Sequence, residues 1–422
     1  MWKHGPKQEN KKKVIPLKGT AQEDPQAKIE YEEDPTQENP REKQKAWQAP
    51  KAFYRVAVLL VVVILGLTIW INRDNLTPEN IWNWVKIQVM GTGDGDGYPV
   101  TITGSSVSEG NFLAQDGNAV VLSDTALTFL GPSGQELASL RHSLNQPILK
   151  SAQGKYLLLN QGGTGYMVVS GMETVLDKST SQDILTGAIA PNGRFALATQ
   201  GQDGATDLTV YLSTGEKQFT YQFARDYILS LALNADGTYG MVCTVRSEGG
   251  ELVSKVSVFD FNHPDPIAQY ETTNNLLLGA SWGDNGVLYA VGDTGLLRAR
   301  STDYAFTEYS YEGRRPTAFL LDGGQVYISV SSYEHAGPST LLVFRNMEDP
   351  VEIPAEERIV SLSVYGGSLG ALMDQQLVVF DSTTGQELAR ADAGSDAKSI
   401  ALTSESAAYV LGVSEVRTLQ LN

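Results

Sequence analysis

From Tyr98 to the end of the chain one pattern recurs about eight times, in units of about 36 to 49 residues. Each unit contains two apolar strands joined by a tight turn, then a hairpin, a third strand and an amphipathic fourth strand. The first turn marks the units most clearly, because its Asp-Gly and Asn-Gly pairs supply the positive φ angles of two-residue hairpins. These turns are Gln115–Asn118, Ala152–Lys155, Pro191–Arg194, Ala235–Thr238, Asp284–Gly286, Asp322–Gly324, Tyr365–Ser368 and, without glycine, Ser404–Ser406.

The third strands of the units also align, since each contains an apolar stretch that often ends in an aromatic residue. They are Leu127–Phe129, Tyr166–Val169, Leu208–Tyr211, Val256–Phe259, Leu296–Arg298, Leu341–Phe344, Leu377–Phe380 and Val416–Leu419. Four-stranded units of this length predict an all-β chain folded as a β-propeller of about eight four-stranded blades. The alternative is seven blades, if one weak unit, the second above all, is not complete.

The last unit ends at Asn422, one strand short, and Tyr98–Ile102 is a spare strand before the first unit. We expect this strand to complete the last blade, because closing the ring removes free sheet edges. The chain would then enter on the face that carries the first turns, here named the first-turn face. The opposite face, named the connection face, carries the hairpins between second and third strands and the blade-to-blade connections.

The first 97 residues differ in composition from the repeats. Residues 1–52 are rich in Lys, Glu, Gln and Pro and have few apolar positions, so they predict a disordered tail. Residues 53–72 are almost wholly apolar, and a run of about 19 such residues matches the hydrocarbon core of a bilayer. The long leader, together with the lack of a small-residue cleavage site at Leu67–Ile71, favours one uncleaved transmembrane signal-anchor helix.

The charges around residues 53–72 predict the orientation of the chain. Basic residues are concentrated before the helix, and mixed charges follow it; the two sets are Lys43, Lys45, Lys51 and Arg55, then Arg73, Asp74 and Glu79. The positive-inside rule therefore places the tail in the cytoplasm and residues 98–422 outside the plasma membrane. Residues 73–97 predict a juxtamembrane amphipathic helix that starts at Thr77–Glu79, followed by a Gly-rich hinge.

Charge and cysteine content exclude several classes of function. Beyond residue 96 the chain has 36 acidic and 18 basic residues. This disfavours nucleic-acid binding, which depends on neutralising phosphates with Lys and Arg. The one cysteine, Cys243, excludes an intramolecular disulfide or a CxxC pair, and its apolar surroundings indicate a buried hydrophobic residue.

Motifs of catalytic or metal sites occur, but each falls where a turn explains it. Gly366–Gly370 fits G-x-S-x-G, yet it lies between two strands and not between a strand and a helix. Asp94–Gly97 lacks the later oxygen ligands of a calcium loop, and Ser281–Gly286 resembles the Asp-box of sialidase propellers with its spacing off by one. His142, His263 and His335 have no metal-ligand spacing. We expect no metal, cofactor or catalytic residue.

The segment Phe380–Leu388 resembles the D-x-x-T-G stretch of quinoprotein-type propeller repeats, without the Trp that ends it. The whole pattern also resembles WD40-like propellers. The layout of Pro78–Ile102, with its Gly-rich hinge, is similar to an uncharacterised family of membrane-anchored propeller proteins from Gram-positive anaerobes. That resemblance implies a location in the cell envelope and no assigned activity.

Two features of the predicted connection face indicate a binding function. The hairpins Gln200–Asp207, Arg246–Glu251 and Tyr333–Ser339 are longer than the others, and long loops on a rigid scaffold reach partners. The blade-to-blade connections also carry basic residues that would suit an anionic ligand. The candidate binding residues are Arg141, Arg225, Arg314, Arg315, Arg358, Lys398, Tyr333 and His335. Scattered surface charge is the alternative interpretation of the basic residues.

The sequence therefore favours a non-enzymatic binding or scaffold module of the cell envelope that recognises a protein or an anionic partner. The alternative is a propeller enzyme, either a glycan hydrolase or a quinone-type oxidoreductase, with its site in the central channel. Two or three carboxylates converging within about 5 to 10 Å would favour the enzyme. A channel lined by small and apolar residues would favour the binding module.

Overall fold

The computed structural model describes residues 97–421, and within them the chain forms eight four-stranded antiparallel sheets. Blade 1 contains β2 (Val107–Gln115), β3 (Asn118–Ser123), β4 (Ala126–Leu130) and β5 (Glu136–Arg141). Blade 2 contains β6 (Pro147–Ala152), β7 (Lys155–Asn160), β8 (Gly165–Ser170) and β9 (Glu173–Ser179). Blade 3 contains β10 (Ile184–Ile189), β11 (Phe195–Gln200), β12 (Thr206–Tyr211) and β13 (Lys217–Phe223). The second repeat is thus a complete blade.

The next three blades follow the same order. Blade 4 contains β14 (Tyr227–Leu233), β15 (Tyr239–Glu248), β16 (Glu251–Asp260) and β17 (Ala268–Thr273). Blade 5 contains β18 (Leu277–Trp282), β19 (Val287–Gly292), β20 (Gly295–Arg300) and β21 (Thr307–Ser310). Blade 6 contains β22 (Arg315–Asp322), β23 (Gln325–Ser331), β24 (Ser339–Arg345) and β25 (Val351–Ala355).

The last two blades complete the ring. Blade 7 contains β26 (Ile359–Tyr365), β27 (Ser368–Met373), β28 (Gln376–Asp381) and β29 (Glu387–Asp392). Blade 8 contains β30 (Ser399–Ser404), β31 (Ala407–Leu411) and β32 (Glu415–Gln420), together with β1 (Val100–Thr101) as its outermost strand. The predicted all-β propeller of four-stranded blades is therefore confirmed with eight blades, and the alternative of seven is wrong.

The ring closes as the spare strand predicted. Val100 pairs with Val416 and Thr101 with Glu415, so β1 joins the edge of β32 in antiparallel register. The inner strands contact their neighbours all around the ring, including β30 against β2. Tyr98 reinforces this closure: its ring lies 5.3 Å from that of Tyr409, and its hydroxyl donates to the carbonyl of Gly131 in blade 1 at 2.9 Å.

The core consists of eight apolar clusters, and each cluster is shared by two neighbouring blades. The second and third strands of a blade are covered on both faces by adjacent blades, so they have continuous apolar runs. β19, for example, is buried along its whole length, whereas the outer strand β9 is mostly exposed. Burial of apolar area between blades is the main force that holds the ring together.

The first turns of blades 1, 2 and 6 are the predicted two-residue hairpins with positive φ at both central residues. In blades 3, 4 and 5 the first turns are longer loops, in which only Gly193, Gly237 and Gly286 have positive φ. In blade 1, Asp116 and Gly117 have φ angles of 52° and 78°, and in blade 2 Gln153 and Gly154 have 44° and 76°. Positive φ at both central residues is the type I′ geometry, whose twist matches that of the flanking strands. These turns place the ends of the inner strands side by side around the first-turn face.

The predicted cytoplasmic tail, transmembrane helix, amphipathic helix and most of the hinge lie in residues 1–96, outside the described residues. Within residues 97–421, no helix has the length and hydrophobicity needed to cross a membrane. Gly97 lies against the turn Gly131–Gly134 of blade 1, where a Cβ on Gly134 would come within 2.8 Å of Gly97. The described chain thus begins on the first-turn face.

Candidate partner-binding surface

All six basic candidate residues lie on the connection face, in or next to blade-to-blade connections. Arg358 and Lys398 directly precede the inner strands β26 and β30, and Arg315 is the first residue of β22. These three occupy the same end of three consecutive inner strands. Arg141 and Arg225, by contrast, are exposed residues at other points of the ring, after β5 and before β14.

Local contacts occupy several of these cations. Arg315 forms an ion pair with Asp293 of blade 5, and Arg314 donates to the carbonyl of Tyr311 at 3.0 Å. Nη1 of Arg314 also lies 3.9 Å from a carboxylate oxygen of Glu352. Among the described residues, the remaining cations, Arg141, Arg225, Arg358 and Lys398, form no ion pair. The six cations are thus distributed around the ring and do not converge on one pocket.

Tyr333 and His335 lie in the hairpin between β23 and β24, and both are exposed. The structure brings Tyr333 together with Arg358, whose Nη1 donates to the Tyr333 carbonyl at 3.2 Å. The side chain of Tyr333 is 56% exposed, which leaves its ring free for contact with a partner. This hairpin therefore presents an aromatic side chain beside a cation on the connection face.

Blade 4 carries a charge network that sequence reasoning missed. Asp226, just before β14, is buried, and Nζ of Lys255 on β16 lies 2.6 Å from its carboxylate. Arg246 on β15 lies 3.5 Å from the same carboxylate and 3.0 Å from Glu271 on β17. The hydrogen bond from Arg246 holds the pKa of Glu271 below its ordinary value. The network links residues on or next to all four strands of blade 4, close to the hairpin Glu248–Glu251.

Three exposed apolar side chains lie near the connection-face ends of the inner strands of blades 4 and 5. Leu229 on β14 and Leu278 on β18 are 36% and 42% exposed, and Tyr227 at the start of β14 is 57% exposed. We name Tyr227, Leu229 and Leu278 the apolar mouth. An inner strand has no strand on its channel side, so exposed side chains of these strands border the channel. Exposed apolar groups clustered in this way mark interaction sites.

β-bulges explain why these leucines are exposed. The ladder of β14 skips Leu229 between Ile228 and Ser230, and that of β18 skips Leu278 after Leu277. In each doublet the first residue is buried between blades and the second is left unpaired, because a bulge adds one residue to its strand. In the sequence, the signal was a pair of adjacent apolar residues at the start of the inner strand, such as Ile228-Leu229 and Leu277-Leu278.

The other half of the channel contains a cavity of about 510 Å³, here named the first-turn cavity. Its wall is formed by the ends of the inner strands of all eight blades and by first-turn residues of blades 1 to 6. Most of the lining side chains are apolar, among them Leu113, Leu320 and Trp282. The ionisable side chains of this lining are Asp284 and Asp322. The two halves of the channel are therefore chemically different.

The sequence motifs considered for chemistry lie on structural elements. Gly366 and Gly367 form the turn between β26 and β27, and Ser368 is a buried strand residue. Nε2 of His142 lies 3.1 Å from the Ser123 carbonyl, and Nδ1 accepts from the Leu144 amide. Within residues 97–421, no group of three or more His, Cys, Asp or Glu side chains is arranged to hold a metal ion. The expectation of a non-enzymatic protein, with a propeller enzyme as the alternative, stays a prediction.

Cys243 lies on β15 and is wholly buried, as its apolar surroundings predicted. Burial raises the pKa of its thiol to about 12. Because the thiolate is the reactive form of cysteine, this thiol is unreactive in the folded chain.

Comparison with known proteins extends the description of the fold. No curated protein matches the chain in sequence. The solved structure of Sqt1 from Saccharomyces cerevisiae is similar over 77% of this chain and 98% of that chain, with 11% identity and a TM-score of 0.54. BamB from Moraxella catarrhalis has 12% identity over 76% of this chain and 100% of that chain, with a TM-score of 0.49. The similarity to Sqt1, at this low identity, shows the propeller fold alone.

A family model matches residues 96–309, about half of the chain, which run from just before β1 into β21 of blade 5. The matched region therefore includes the closing strand, the apolar mouth and the charge network of blade 4. The family is described as a family of unknown function. The chain belongs to this family, DUF5711.

Proposed function

We propose that this protein is a binding module anchored in the plasma membrane, whose connection face recognises a protein partner outside the cytoplasm. The apolar mouth carries the proposal, because it presents Tyr227, Leu229 and Leu278 to solvent on the inner strands of two neighbouring blades. A tyrosine beside aliphatic side chains is typical of the centre of protein interfaces. The exposed ring of Tyr333 lies on the same face.

The point at which the chain enters the ring supports the same proposal. The sequence predicts an anchor at residues 53–72, and the described chain begins at Gly97 on the first-turn face. Because the chain enters the ring on this side, the connection face is the one that we propose to be open to partners.

Affinity purification of the full chain from its own solubilised membranes tests the proposal. The variant Leu229→Ser/Leu278→Ser removes most of the apolar mouth, and we expect recovery of specific partners to fall by about tenfold or more, since central apolar contacts dominate binding energy. Val175→Ser/Leu388→Ser is the matched control, because these aliphatic side chains are 51% and 52% exposed on outer strands. Equal recovery by all three proteins would overturn the proposal.

An anionic partner would be recognised by different residues of the same face. Charge reversal at Arg358 and Lys398 distinguishes the two possibilities, since neither side chain has an ion pair among the described residues. If the partner depends on apolar contacts, Arg358→Glu/Lys398→Glu changes its recovery less than the leucine substitutions do. The reverse order would show that charge and not the apolar mouth directs binding.

A further inference from the structure

Phe319 on β22 extends the exposed apolar surface from blades 4 and 5 to blade 6, and its side chain is 37% exposed. It lies in the middle of an inner strand, so its exposed part borders the central channel. The ring packs over β18, where a Cβ on Gly279 would come within 2.7 Å of it. Since Gly279 directly follows Leu278, the ring lies beside the segment that carries this leucine.

A second contact links the two leucines of the apolar mouth. Ser230 follows Leu229, and its hydroxyl donates to the Leu277 carbonyl at 3.4 Å. Leu278 is the next residue of β18. The segments that carry Leu229, Leu278 and Phe319 are therefore in contact one after another across blades 4, 5 and 6. We name these three side chains the apolar stripe.

The hairpin of blade 4 projects from the connection face next to β14. Tyr227, the first residue of β14, pairs with Val245, and β15 continues for three more residues to Glu248. At about 3.3 Å per residue, the tip extends about 10 Å beyond the start of the inner strand. Glu248 and Glu251 are paired at this tip, where like charges repel each other. A cation at the tip would relieve this repulsion.

The cations of the protein leave an excess of negative charge in this region. Arg246 is shared among three carboxylates, and Lys255 is paired with Asp226. Glu251 is exposed and has no ion pair within residues 97–421. On the connection face, the loops of blades 3 and 4 and the strand ends beside them carry seven carboxylates and three cations. They are Asp183, Asp203, Asp207, Asp226, Glu248, Glu251 and Glu271, against Arg225, Arg246 and Lys255.

We propose that the partner of the connection face binds through a cationic segment. Its apolar side chains cover the apolar stripe, and its Lys or Arg side chains reach the hairpin of blade 4. This inference rests on the proposed function and specifies the chemistry of the partner. The occupant is not a second copy of this chain, because a second connection face would bring the same negative charge to the contact.

Calorimetric titration of the full chain in phosphatidylcholine nanodiscs, with empty nanodiscs subtracted, tests the chemistry of this segment. The probes are three octapeptides: Lys-Leu-Lys-Phe repeated twice, Glu-Leu-Glu-Phe repeated twice and Lys-Ser-Lys-Ser repeated twice. We expect the first peptide to bind at least about tenfold more tightly than either of the others, because it alone combines cations with apolar side chains. Added salt should weaken its binding, since salt screens exposed charges.

Two variants test whether the stripe and the hairpin are responsible. Phe319→Ser should weaken binding of the Lys-Leu-Lys-Phe peptide by about tenfold, because it removes the ring from the stripe. Tyr365→Ser is the matched control, since this aromatic side chain is 47% exposed but lies at the first-turn end of β26. Glu251→Lys should weaken the same binding by about fivefold, because it reverses a charge at the hairpin tip. Its control is Glu173→Lys, at an exposed position on β9.

Equal affinity for the Lys-Leu-Lys-Phe and Glu-Leu-Glu-Phe peptides, or equal losses in each variant and its control, would overturn this inference. The proposed function is tested separately, by recovery of natural partners. If Leu229→Ser/Leu278→Ser lowers that recovery while the peptides bind equally, the proposed function stands and the cationic segment is excluded.

Discussion

The two faces of the ring differ in their turns and in the side chains that they expose. On the first-turn face, neutral hydrogen bonds link neighbouring blades: Asn192 donates to the Asp236 carbonyl at 2.6 Å, and Tyr409 to the Gly117 carbonyl at 2.8 Å. On the connection face, charged residues and exposed apolar side chains predominate, among them Arg225 and Tyr227. Both faces join neighbouring blades, and the connection face also presents Arg225 and Tyr227 to solvent.

This difference shows where the fold leaves room for function. A two-residue turn needs particular φ angles and holds its strands in register, so few residues suit it. A blade-to-blade connection only has to lead from the outer strand of one blade to the inner strand of the next. Its side chains can therefore differ widely in chemistry. We therefore expect substitutions on the first-turn face to reduce stability and most substitutions on the connection face to change binding alone.

The largest exception to this rule should be Lys255. Lys255→Met removes the nearest cation from the buried Asp226 on the connection face. We expect the free energy of unfolding to fall by about 3 kcal/mol, because a buried charge is left with a weakened partner. Urea denaturation followed by circular dichroism measures the change. Lys217→Met is the control, since Lys217 is exposed on β13; it should cost less than about 0.5 kcal/mol.

A small loss of stability in Lys255→Met would show that another cation compensates Asp226. Arg246 lies 3.5 Å from the same carboxylate and would then be sufficient to compensate Asp226. A loss below about 1 kcal/mol would show this, because it is smaller than the usual result of breaking a buried pair. Charged residues of the connection face could then be replaced without a large loss of stability even within blade 4.

A pair of tyrosines compares the two faces more directly. Tyr98→Ala removes the hydrogen bond to Gly131 and the packing on Tyr409 at the closure of the ring. We expect a loss of about 2 kcal/mol from these contacts. Tyr227→Ala, on the connection face, removes a ring that is 57% exposed and should cost less than about 0.5 kcal/mol. Chemical denaturation measures both losses. Similar losses in the free energy of unfolding of the two variants would show that the two faces do not differ in their contribution to stability.

The smallest effect concerns pH. Burial lowers the pKa of His142 on the connection face below its ordinary value of 6.5. The folded chain then binds a proton less readily than the unfolded chain, so stability falls as pH drops from above 6.5 toward the lowered pKa. Unfolding measurements at pH 7.5, 6.5 and 5.5 should show this slope in the natural chain and a smaller slope in His142→Gln. An unchanged slope in the variant would assign the effect to other groups.

Asp322 on the first-turn face should respond in the opposite direction. Burial raises its pKa above the ordinary value of 3.8, so the folded chain binds the proton more readily than the unfolded chain. Its contribution to stability therefore increases as pH falls through the raised pKa. Asp322→Asn should remove this component and leave that of His142 in place.

Much of the fold could be predicted from particular residues of the sequence. The pairs Asp116-Gly117 and Gln153-Gly154 predicted the first turns, and the spare strand around Val100 predicted closure against the last blade. These features depend on interactions between residues close together in the chain, or on the count of strands. The candidate site was predicted only in part, since the connection face was identified but the apolar mouth was not.

By itself, the sequence determined the repeat, the all-β architecture, the way the ring closes and the residues on each face. Turn conformation and apolar alternation are short-range properties, so they can be recognised in one unit and checked in the next. Only the tertiary structure decided that Leu229 and Leu278 are exposed, that Lys255 neutralises Asp226, and that Asp284 and Asp322 line one cavity. These properties arise from bulges and from contacts between strands or blades far apart in the chain, which no single repeat contains.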